Sequence, residues 1–349
     1  MLAAGPGSLR TPSRPMRAFR LYSFGFDGLA ICDLPNPEPG PNQVLVELKA
    51  ASLNFRDLMM VKGLYDKNQP LPMTPFSDGS GVVVAVGDAV KTIQVGDRVA
   101  GAFMQGWVEG PYNRPKSQTA LGGSLPGTLA THILLAEAGT VVIPDSLSFE
   151  EAATLPCAGV TAWNALFGEK QLRPGESVLV QGTGGVSIFA LQFASAAGAR
   201  VIVTSSSDDK LQRAKELGAW KTINYRSSPN WGAEARKLTD GGVDCVVEVG
   251  GAGTLRQSLD AIRFGGRIEM IGVLSGASGE IPTPLILHKG AHIRGIYVGS
   301  VEMFKEVNRS IETTLVKPQI GAIFPFEKAI EALELMESAG HFGKIVVAI

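Results

Sequence analysis

The chain has 349 residues, 45% of them hydrophobic and 42 of them glycine, and this length predicts about two domains with sizeable cores. A net charge of −1 without a long basic run argues against nucleic acid as a main partner, and no apolar run approaches the ~18–20 residues of a membrane span. Three cysteines, odd in number and widely spaced, offer no disulfide framework and fit a reducing compartment.

Residues 1–15 contain no acidic side chain, two arginines and five prolines or glycines. A basic, acid-poor leader is typical of organellar import, but such a leader should also form an amphipathic helix, which proline and glycine oppose. We therefore expect a disordered leader or a remnant of expression at 1–15, with Met16 as a candidate start of the folded part. This interpretation predicts a cytoplasmic protein, with import as the alternative.

From Arg17 to about Asp145, short apolar segments alternate with turns rich in glycine and proline, which predicts a β-rich, barrel-like domain. Asn54 to Gly63 is expected to form a short helix over it. Residues 104–128 interrupt the pattern, and a segment of this length is either a mobile lid or partly disordered. The predicted strands are 17–22, 43–51, 79–87, 97–102 and 132–136.

From about Ser146, strands and helices alternate, which predicts an α/β fold with a doubly wound parallel sheet. Ser148 and Glu151 have the capping-box spacing, which opens a helix at 152–155. A second helix is expected near Gly159. Further predicted strands are 178–181, 199–204, 221–224, 243–249, 267–271 and 292–298; further predicted helices are 186–197, 210–217, 230–238, 253–261, 302–315 and 325–337. A last strand, 344–348, is expected to return to the first domain.

A glycine turn joins the strand 178–181 to the helix 186–197. Unpaired backbone N–H groups and the helix dipole favour a pyrophosphate at such a helix start, and the strand 199–204 completes the βαβ unit that the motif requires. Ser187 stands where a third glycine is usual, which predicts a slightly adjusted turn. The predicted cofactor-binding residues of the turn are Gly182, Thr183, Gly184, Gly185 and Val186.

Among βαβ units that bind a nicotinamide dinucleotide, the end of the second strand discriminates between NADH and NADPH. A carboxylate at this point would bind the ribose 2′-hydroxyl of NADH, but here the hydroxyls of Ser205 and Ser206 are followed by Lys210, which suits a 2′-phosphate. Asp208 and Asp209 come later and have a simpler interpretation as helix-capping residues. The sequence therefore predicts NADPH, with NADH as the less favoured cofactor.

Five segments carry recognisable motifs in a fixed order: 52–58, 96–101, 152–163, 178–187 and 341–346. Taken together, these motifs resemble the medium-chain dehydrogenase/reductase superfamily, and within it the zinc-independent quinone oxidoreductase-like and enoyl reductase-like branch. The resemblance spans about Arg17 to Ile349. It implies a discontinuous GroES-like catalytic domain at 16–145 and 301–349, a Rossmann dinucleotide-binding domain at 146–300, and a homodimer.

Zinc alcohol dehydrogenases of this superfamily hold their catalytic metal with Cys, His and Cys, ligands that suit tetrahedral zinc. The matching positions here are Asn54, Ser77 and Cys157, so only one thiol remains. The four-cysteine structural lobe is missing as well, since 90–130 contains no cysteine. The expectation is therefore no metal, with Cys157 a small residue of the site wall.

Further site residues are implied by the resemblance alone. Asn54 and Tyr65 would donate hydrogen bonds to the substrate oxygen, Asp57 would orient their segment, and Arg56 is a further donor if it points inward. Lys344 would approach a phosphate or pair with Asp78. The remaining implied cofactor contacts are Thr161, Tyr225, Gly250, Gly272, Val273, Tyr297 and Val298.

Without zinc to stabilise an alkoxide, the favoured reaction is hydride transfer to the β-carbon of an enone or to a quinone, because hydrogen-bond donors can hold the developing enolate. Two alternatives stay open: an NAD(P)-dependent alcohol or aldehyde dehydrogenase, and a non-catalytic NADPH-binding interaction protein. The sequence names neither the substrate nor the group that protonates the product.

Overall fold

The structure is a computed structural model, and it describes residues 15–314 and 316–349. The predicted leader lies outside these residues except for Pro15. The chain divides into two compact units. The first unit comprises the described residues through Pro156 together with Ile323–Ala339 and Ile345–Ile349, and the second comprises Cys157–Ala322 and Gly340–Lys344.

The described residues form strands and helices throughout both units. The strands are β1 (Met16–Leu21), β2 (Leu29–Leu34), β3 (Gln43–Ser52), β4 (Asp78–Val86), β5 (Arg98–Gly101), β6 (His132–Ala136), β7 (Thr140–Val142), β8 (Ser177–Gln181), β9 (Arg200–Ser205), β10 (Lys221–Asn224), β11 (Val243–Glu248), β12 (Ile262–Met270), β13 (His292–Gly295), β14 (Ile320–Pro325) and β15 (Lys344–Ala348). The α-helices are α1 (Phe55–Val61), α2 (Arg114–Ser117), α3 (Phe149–Ala153), α4 (Val160–Trp163), α5 (Gly185–Ala196), α6 (Asp208–Glu216), α7 (Trp231–Leu238), α8 (Leu255–Ala261), α9 (Thr283–Lys289), α10 (Val301–Thr314) and α11 (Ala329–Glu337).

The second unit is built on a six-stranded parallel sheet in the order β10-β9-β8-β11-β12-β13. The central strand β8 is buried along its whole length, as expected where helices cover both faces of a parallel sheet. The strand order reverses between β8 and β11, which in such sheets is the point where ligands bind at the carboxyl ends of the strands. The predicted doubly wound α/β fold is confirmed.

The first unit is built on antiparallel pairs, with the sheet order β14-β15-β3-β4-β5-β7 and β6 paired to β3. Val346–Ala348 of β15 pair with Ala50–Ser52 of β3, so the last strand belongs to the sheet of the first unit. A core of buried side chains from β1, β3, α1, α11 and β15 fills the space beneath α1. Within the described part of the chain, no helix combines the length and apolar character needed to cross a bilayer.

The local signals in the sequence mostly place their elements correctly. Ser148 and Glu151 form the predicted capping box, with 3.2 Å from the Glu151 nitrogen to Ser148 Oγ, but the helix that they open is 149–153 rather than 152–155. The predicted strand 292–298 is too long, because β13 ends at Gly295 and Val298 has a left-handed φ of 57°. Five elements of the structure were not predicted: β2, α2, β7, α9 and β14.

Candidate functional site

The glycine turn between β8 and α5 forms an open cradle. Gly182 has a φ of 71°, which favours glycine, and a Cβ added at Gly182 or Gly184 would meet no heavy atom within 4 Å. Gly184 is the N-cap of α5 and has no side chain with which to cap it, so the first N–H groups of the helix face this space. The cradle therefore fits the pyrophosphate of a dinucleotide at a positive helix end.

Ser187 explains how the turn tolerates a side chain at the third glycine position. Its buried hydroxyl donates to the carbonyl oxygen of Gln181 at 2.7 Å, so the polar group is satisfied inside the turn. The turn thus accommodates a serine in place of the third glycine through one internal hydrogen bond.

Lys344 lies directly against the same turn. The Gly343 N–H donates to the Thr183 carbonyl at 2.9 Å, and Gly343 forms a bridge with Gly184. A Cβ on Gly185 would come within 2.4 Å of Lys344 Cδ, so the lysine stem needs glycine at that position. A buried ammonium group beside the start of α5 adds positive charge to the cradle.

The carboxyl end of β9 carries the hydroxyl cluster predicted for a 2′-phosphate. Ser205 is buried and its Oγ accepts from the Ser207 N–H at 3.3 Å, while Ser206 is half-buried and Tyr225 is exposed. Asp208 lies in the first turn of α6 and accepts from Asn224 Nδ2 at 2.7 Å. Ser207 is the N-cap of α6 and its side chain accepts from the Lys210 N–H, so the helix-capping interpretation of Asp208 is wrong.

Several cations surround this end of the second unit. Burial and the neighbouring Arg213 lower the pKa of Lys210. Burial, with the charges of Lys210 and Lys344, lowers the pKa of His341 to about 4. Arg213 stacks on Phe342, with its guanidinium carbon 3.9 Å from the ring centroid. His341 and Arg213 were not predicted as site residues, and they come together with Lys210 only because the tail folds back beside α6.

A buried carboxylate organises the turn at the end of β11. Glu248 is fully buried, and its Oε1 accepts from Gly250 N (2.8 Å), Gly251 N (3.0 Å) and Thr254 Oγ1 (2.6 Å). Its Oε2 accepts from Gln181 Nε2 at 2.6 Å and from the Ser258 hydroxyl. Glu248 therefore fixes the backbone of Gly250, one of the predicted cofactor contacts, and sequence reasoning did not single it out.

The other predicted contacts at this end of the sheet have varied exposure. Gly272 donates to the Glu248 carbonyl at 3.3 Å, and Val273 after it is half exposed. Thr161 is buried in α4, Val298 is buried and Tyr297 is partly exposed. All five residues belong to the second unit.

In the first unit, the predicted catalytic segment begins α1. The Asn54 N–H donates to Asp57 Oδ2 at 2.8 Å in a capping box that opens α1. Asn54 Nδ2 donates to Ser77 Oγ at 3.3 Å, and Ser77 donates to Asp78 Oδ1 at 2.7 Å. All four side chains are buried.

Arg56 is engaged with the 104–128 segment. Its Nη1 donates to the Leu121 carbonyl at 3.0 Å, and its guanidinium lies 4.8 Å from the Phe103 ring and 5.4 Å from the Tyr65 ring. Tyr65 itself is 44% exposed. The segment 104–128 contains α2, whose N-cap Asn113 accepts from the Lys116 N–H at 3.1 Å.

The donor set suits zinc poorly. Asn54 offers an amide and Ser77 a hydroxyl, whereas zinc favours thiolate, imidazole and carboxylate ligands. Within residues 15–314 and 316–349, no cluster of three His, Cys, Asp or Glu side chains could hold a metal ion.

A glycine cradle at the switch point of a doubly wound sheet, followed by hydroxyl and cationic groups after β9, defines a dinucleotide-binding protein of the Rossmann class. Residues 185–313 match the family described as zinc-binding dehydrogenase, and residues 40–145 match the alcohol dehydrogenase GroES-like domain.

Relatives extend this similarity to nearly the whole chain. A zinc-type alcohol dehydrogenase-like protein of Schizosaccharomyces pombe is 47% identical over 333 residues, covering 93% of this chain and 96% of the relative. The quinone oxidoreductase of Rattus norvegicus is 31% identical and covers 97% and 99%. A solved structure described as an NAD-dependent alcohol dehydrogenase is 39% identical, with a TM-score of 0.88 and coverage of 95% and 99%.

The chain belongs to the medium-chain dehydrogenase/reductase superfamily, whose members are nicotinamide-dependent oxidoreductases, and this prediction from the sequence is confirmed.

Proposed function

We propose that the protein is an NADPH-dependent oxidoreductase that transfers hydride, without zinc, to the activated C=C bond of an enone or to a quinone. The observation that carries the proposal is the Asn54–Ser77 pair: an amide and a hydroxyl, hydrogen-bonded to each other, stand where zinc-dependent members of the superfamily have metal ligands. The similarity to a quinone oxidoreductase supports the same reaction class.

Cofactor binding is assigned to the second unit. When bound, the reduced nicotinamide supplies the hydride. The cradle at Gly184 and the ammonium of Lys344 would hold the pyrophosphate, while Ser205, Ser206 and Lys210 would take the 2′-phosphate. Preference for NADPH rests on this cationic, hydroxyl-rich end of β9, because a 2′-phosphate needs positive partners that NADH does not.

Substrate polarisation is assigned to the first unit. As hydride reaches the β-carbon of an enone, negative charge develops on the carbonyl oxygen, and a preorganised N–H or O–H donor stabilises it. The side-chain amide of Asn54 is the proposed donor; Asp57 holds the backbone N–H of the same residue, and the exposed phenol of Tyr65 is a second donor. Arg56 would act mainly by holding the 104–128 segment.

A second candidate is alcohol oxidation with NAD, which the similarity to a structure described as an NAD-dependent alcohol dehydrogenase favours. The discriminating assay follows the near-ultraviolet absorbance of reduced nicotinamide with NADPH or NADH and quinones, enones or aldehydes. The reverse reaction is run with alcohols and NADP or NAD, with and without a chelator.

The expected result is NADPH-dependent loss of absorbance with an enone or quinone, insensitive to the chelator. An Asn54→Ala variant should lose at least tenfold in kcat, about 1.4 kcal/mol or more of transition-state stabilisation, while the exposed Asn42→Ala control should not. Chelator-sensitive alcohol oxidation would refute the proposal. Tight NADPH binding without turnover of any of these substrates would favour the non-catalytic alternative.

We also propose a cytoplasmic homodimer that pairs along β13. This strand is the last in its sheet order, and the apolar side chains of Phe264, Leu287 and Ile293 are exposed around it. Exposed strand edges invite pairing with another chain. Light scattering should give a dimer mass, and Ile293→Arg should shift it to the monomer.

A further inference from the structure

Asn164 joins two segments of the second unit that are far apart in the sequence. It lies buried in the π-helical turn Asn164–Gly168, directly after α4. Its Nδ2 donates to the Val298 carbonyl at 2.7 Å, and its Oδ1 accepts from Arg294 Nη1 at 3.2 Å. Arg294 Nη2 also donates to the Asn164 carbonyl at 2.7 Å. One side chain thus links the end of β13 to the segment that follows it.

The segment held by Asn164 is strained. Val298 has a φ of 57°, a conformation that is costly for a β-branched residue and persists only where its surroundings impose it. The next residue, Gly299, lies so close to α4 that a Cβ on it would come within 2.7 Å of Val160 Cγ1. The strained backbone is therefore fixed against α4 from two sides.

The anchor behind Asn164 is itself rigid. Arg294 Nε lies 2.8 Å from Glu269 Oε2, and Glu269 is a buried carboxylate on β12. Arg267 Nε lies 3.4 Å from the other oxygen of the same carboxylate. Because the guanidinium of Arg294 is held by Glu269, Asn164 receives a fixed fork of donors rather than a mobile side chain.

We infer that Asn164 is a positioning residue for hydride transfer: its hydrogen bond to Val298 holds the strained backbone of Tyr297–Val298 at a fixed place relative to Thr161. The inference rests on the proposed function and on the family resemblance, which implies that Thr161 lies near the nicotinamide and that Tyr297 and Val298 back its ring. A displacement of about 1 Å at a reacting centre can cost about a hundredfold in rate, so a single hydrogen bond at this point has a large effect. The adenosine end of the cofactor depends on β9 and α6, and is independent of Asn164.

The test is Asn164→Asp. The carboxylate has nearly the same shape and stays paired with Arg294, which preserves the fold, but it cannot donate to the Val298 carbonyl. NADPH should bind about tenfold more weakly, which is about 1.4 kcal/mol. Single-turnover hydride transfer should slow by at least the same factor and show a larger isotope effect with NADPH deuterated at C4. Binding of 2′,5′-ADP, which lacks the nicotinamide, should not change.

Two further variants complete the design. Asn308→Asp places a carboxylate at another buried asparagine of the second unit, on α10, and should leave the ratio of NADPH to 2′,5′-ADP affinity unchanged. Arg294→Lys keeps the charge beside Glu269 but loses the fork onto Asn164, and should reproduce the selective loss of NADPH affinity. If circular dichroism shows that Asn164→Asp does not fold, the ratio of NADPH to 2′,5′-ADP affinity in Arg294→Lys tests the inference instead.

Equal weakening of NADPH and 2′,5′-ADP would overturn the inference, since it would indicate a general structural defect. Unchanged hydride transfer in both variants would overturn it as well, while the wild-type activity would leave the proposed function intact. A wild-type protein that neither binds nor oxidises NADPH would refute the proposed function and the inference with it.

Discussion

The buried carboxylate of Glu248 gives a quantitative prediction for Glu248→Gln. Its two oxygens accept from five donors, so replacing one oxygen by an NH₂ group brings two donors face to face. The more favourable orientation places the new NH₂ towards Gln181. Gln181 cannot relieve the conflict by turning its own amide over, because its Oε1 already accepts from the N–H groups of Val249 and Gly250 at 3.2 Å each.

The expected cost combines two effects. A charge-assisted hydrogen bond contributes about 1.5–3 kcal/mol and an unsatisfied buried donor costs about 1–3 kcal/mol, so the substitution should destabilise the second unit by about 3–5 kcal/mol. For a unit of this size, each kcal/mol corresponds to about 2–4 °C, and the melting transition should fall by roughly 6–20 °C.

Thermal unfolding monitored by circular dichroism and urea titration measure this change. Glu216→Gln is the matched control, because Glu216 is exposed on α6 of the same unit. The reasoning is refuted if Glu248→Gln unfolds within 1 °C of the wild type, because the five donors would then have found other acceptors at no cost.

Three further substitutions test other parts of the molecule. The pKa of His341 is about 4 in the folded chain and ~6.5 when unfolded, so the contribution of His341 to stability is present above pH ~6.5 and is lost as the pH falls towards 4. In urea titrations, the free energy of unfolding should therefore fall less between pH 7 and pH 5 for His341→Gln than for the wild type. Lys210→Ala should weaken NADPH binding by about 10–100-fold in fluorescence titrations and leave NADH binding unchanged, and Lys215→Ala on the same helix should change neither. Arg56→Met removes the hydrogen bond to the Leu121 carbonyl, so the free energy of unfolding should fall by about 1–3 kcal/mol and proteolysis within 104–128 should accelerate. Arg114→Met is the control and should change neither, because the Arg114 side chain is exposed.

Each of these has a clear contrary result. If the free energy of unfolding falls equally with pH in His341→Gln and in the wild type, other residues cause the acid sensitivity. Equal loss of NADPH and NADH binding in Lys210→Ala would show that Lys210 does not bind the 2′-phosphate. An unchanged digestion pattern in Arg56→Met would mean that the 104–128 segment is held by its own contacts.

The glycine turn was predictable because its chemistry is local. The strand before it has the apolar centre Val178–Val180, Gly182 needs a positive φ, and the helix starts soon afterwards, at Gly185. The capping box at Ser148 was predictable for the same reason, since its two partners are three residues apart. Only the boundaries shifted by a few residues.

Glu248 and Asn164 were not predictable, because their partners lie far away in the sequence. Gln181 precedes Glu248 by 67 residues, and Val298 follows Asn164 by 134. A glutamate at the end of an apolar strand and an asparagine within a helix look ordinary until the fold brings these partners together. The strand 292–298 was predicted too long for a related reason: nothing in its composition indicates that β13 ends at Gly295 or that Val298 has a positive φ.

The pairing of β15 with β3 also determines when the first unit can finish folding during translation. Ser52 Oγ donates to the carbonyl of Ile345, 293 residues later, so the strand edge at Ala50–Ser52 lacks this neighbour until Ile345 and the residues after it have been synthesised. At about 5–20 residues per second, the ribosome needs roughly 15–60 s to cover that distance. The second unit is translated almost entirely in the interval and can fold on its own strands. During this interval the edge of β3 is unpaired and can pair with a strand of another chain. The risk of aggregation is therefore greatest at this stage of synthesis.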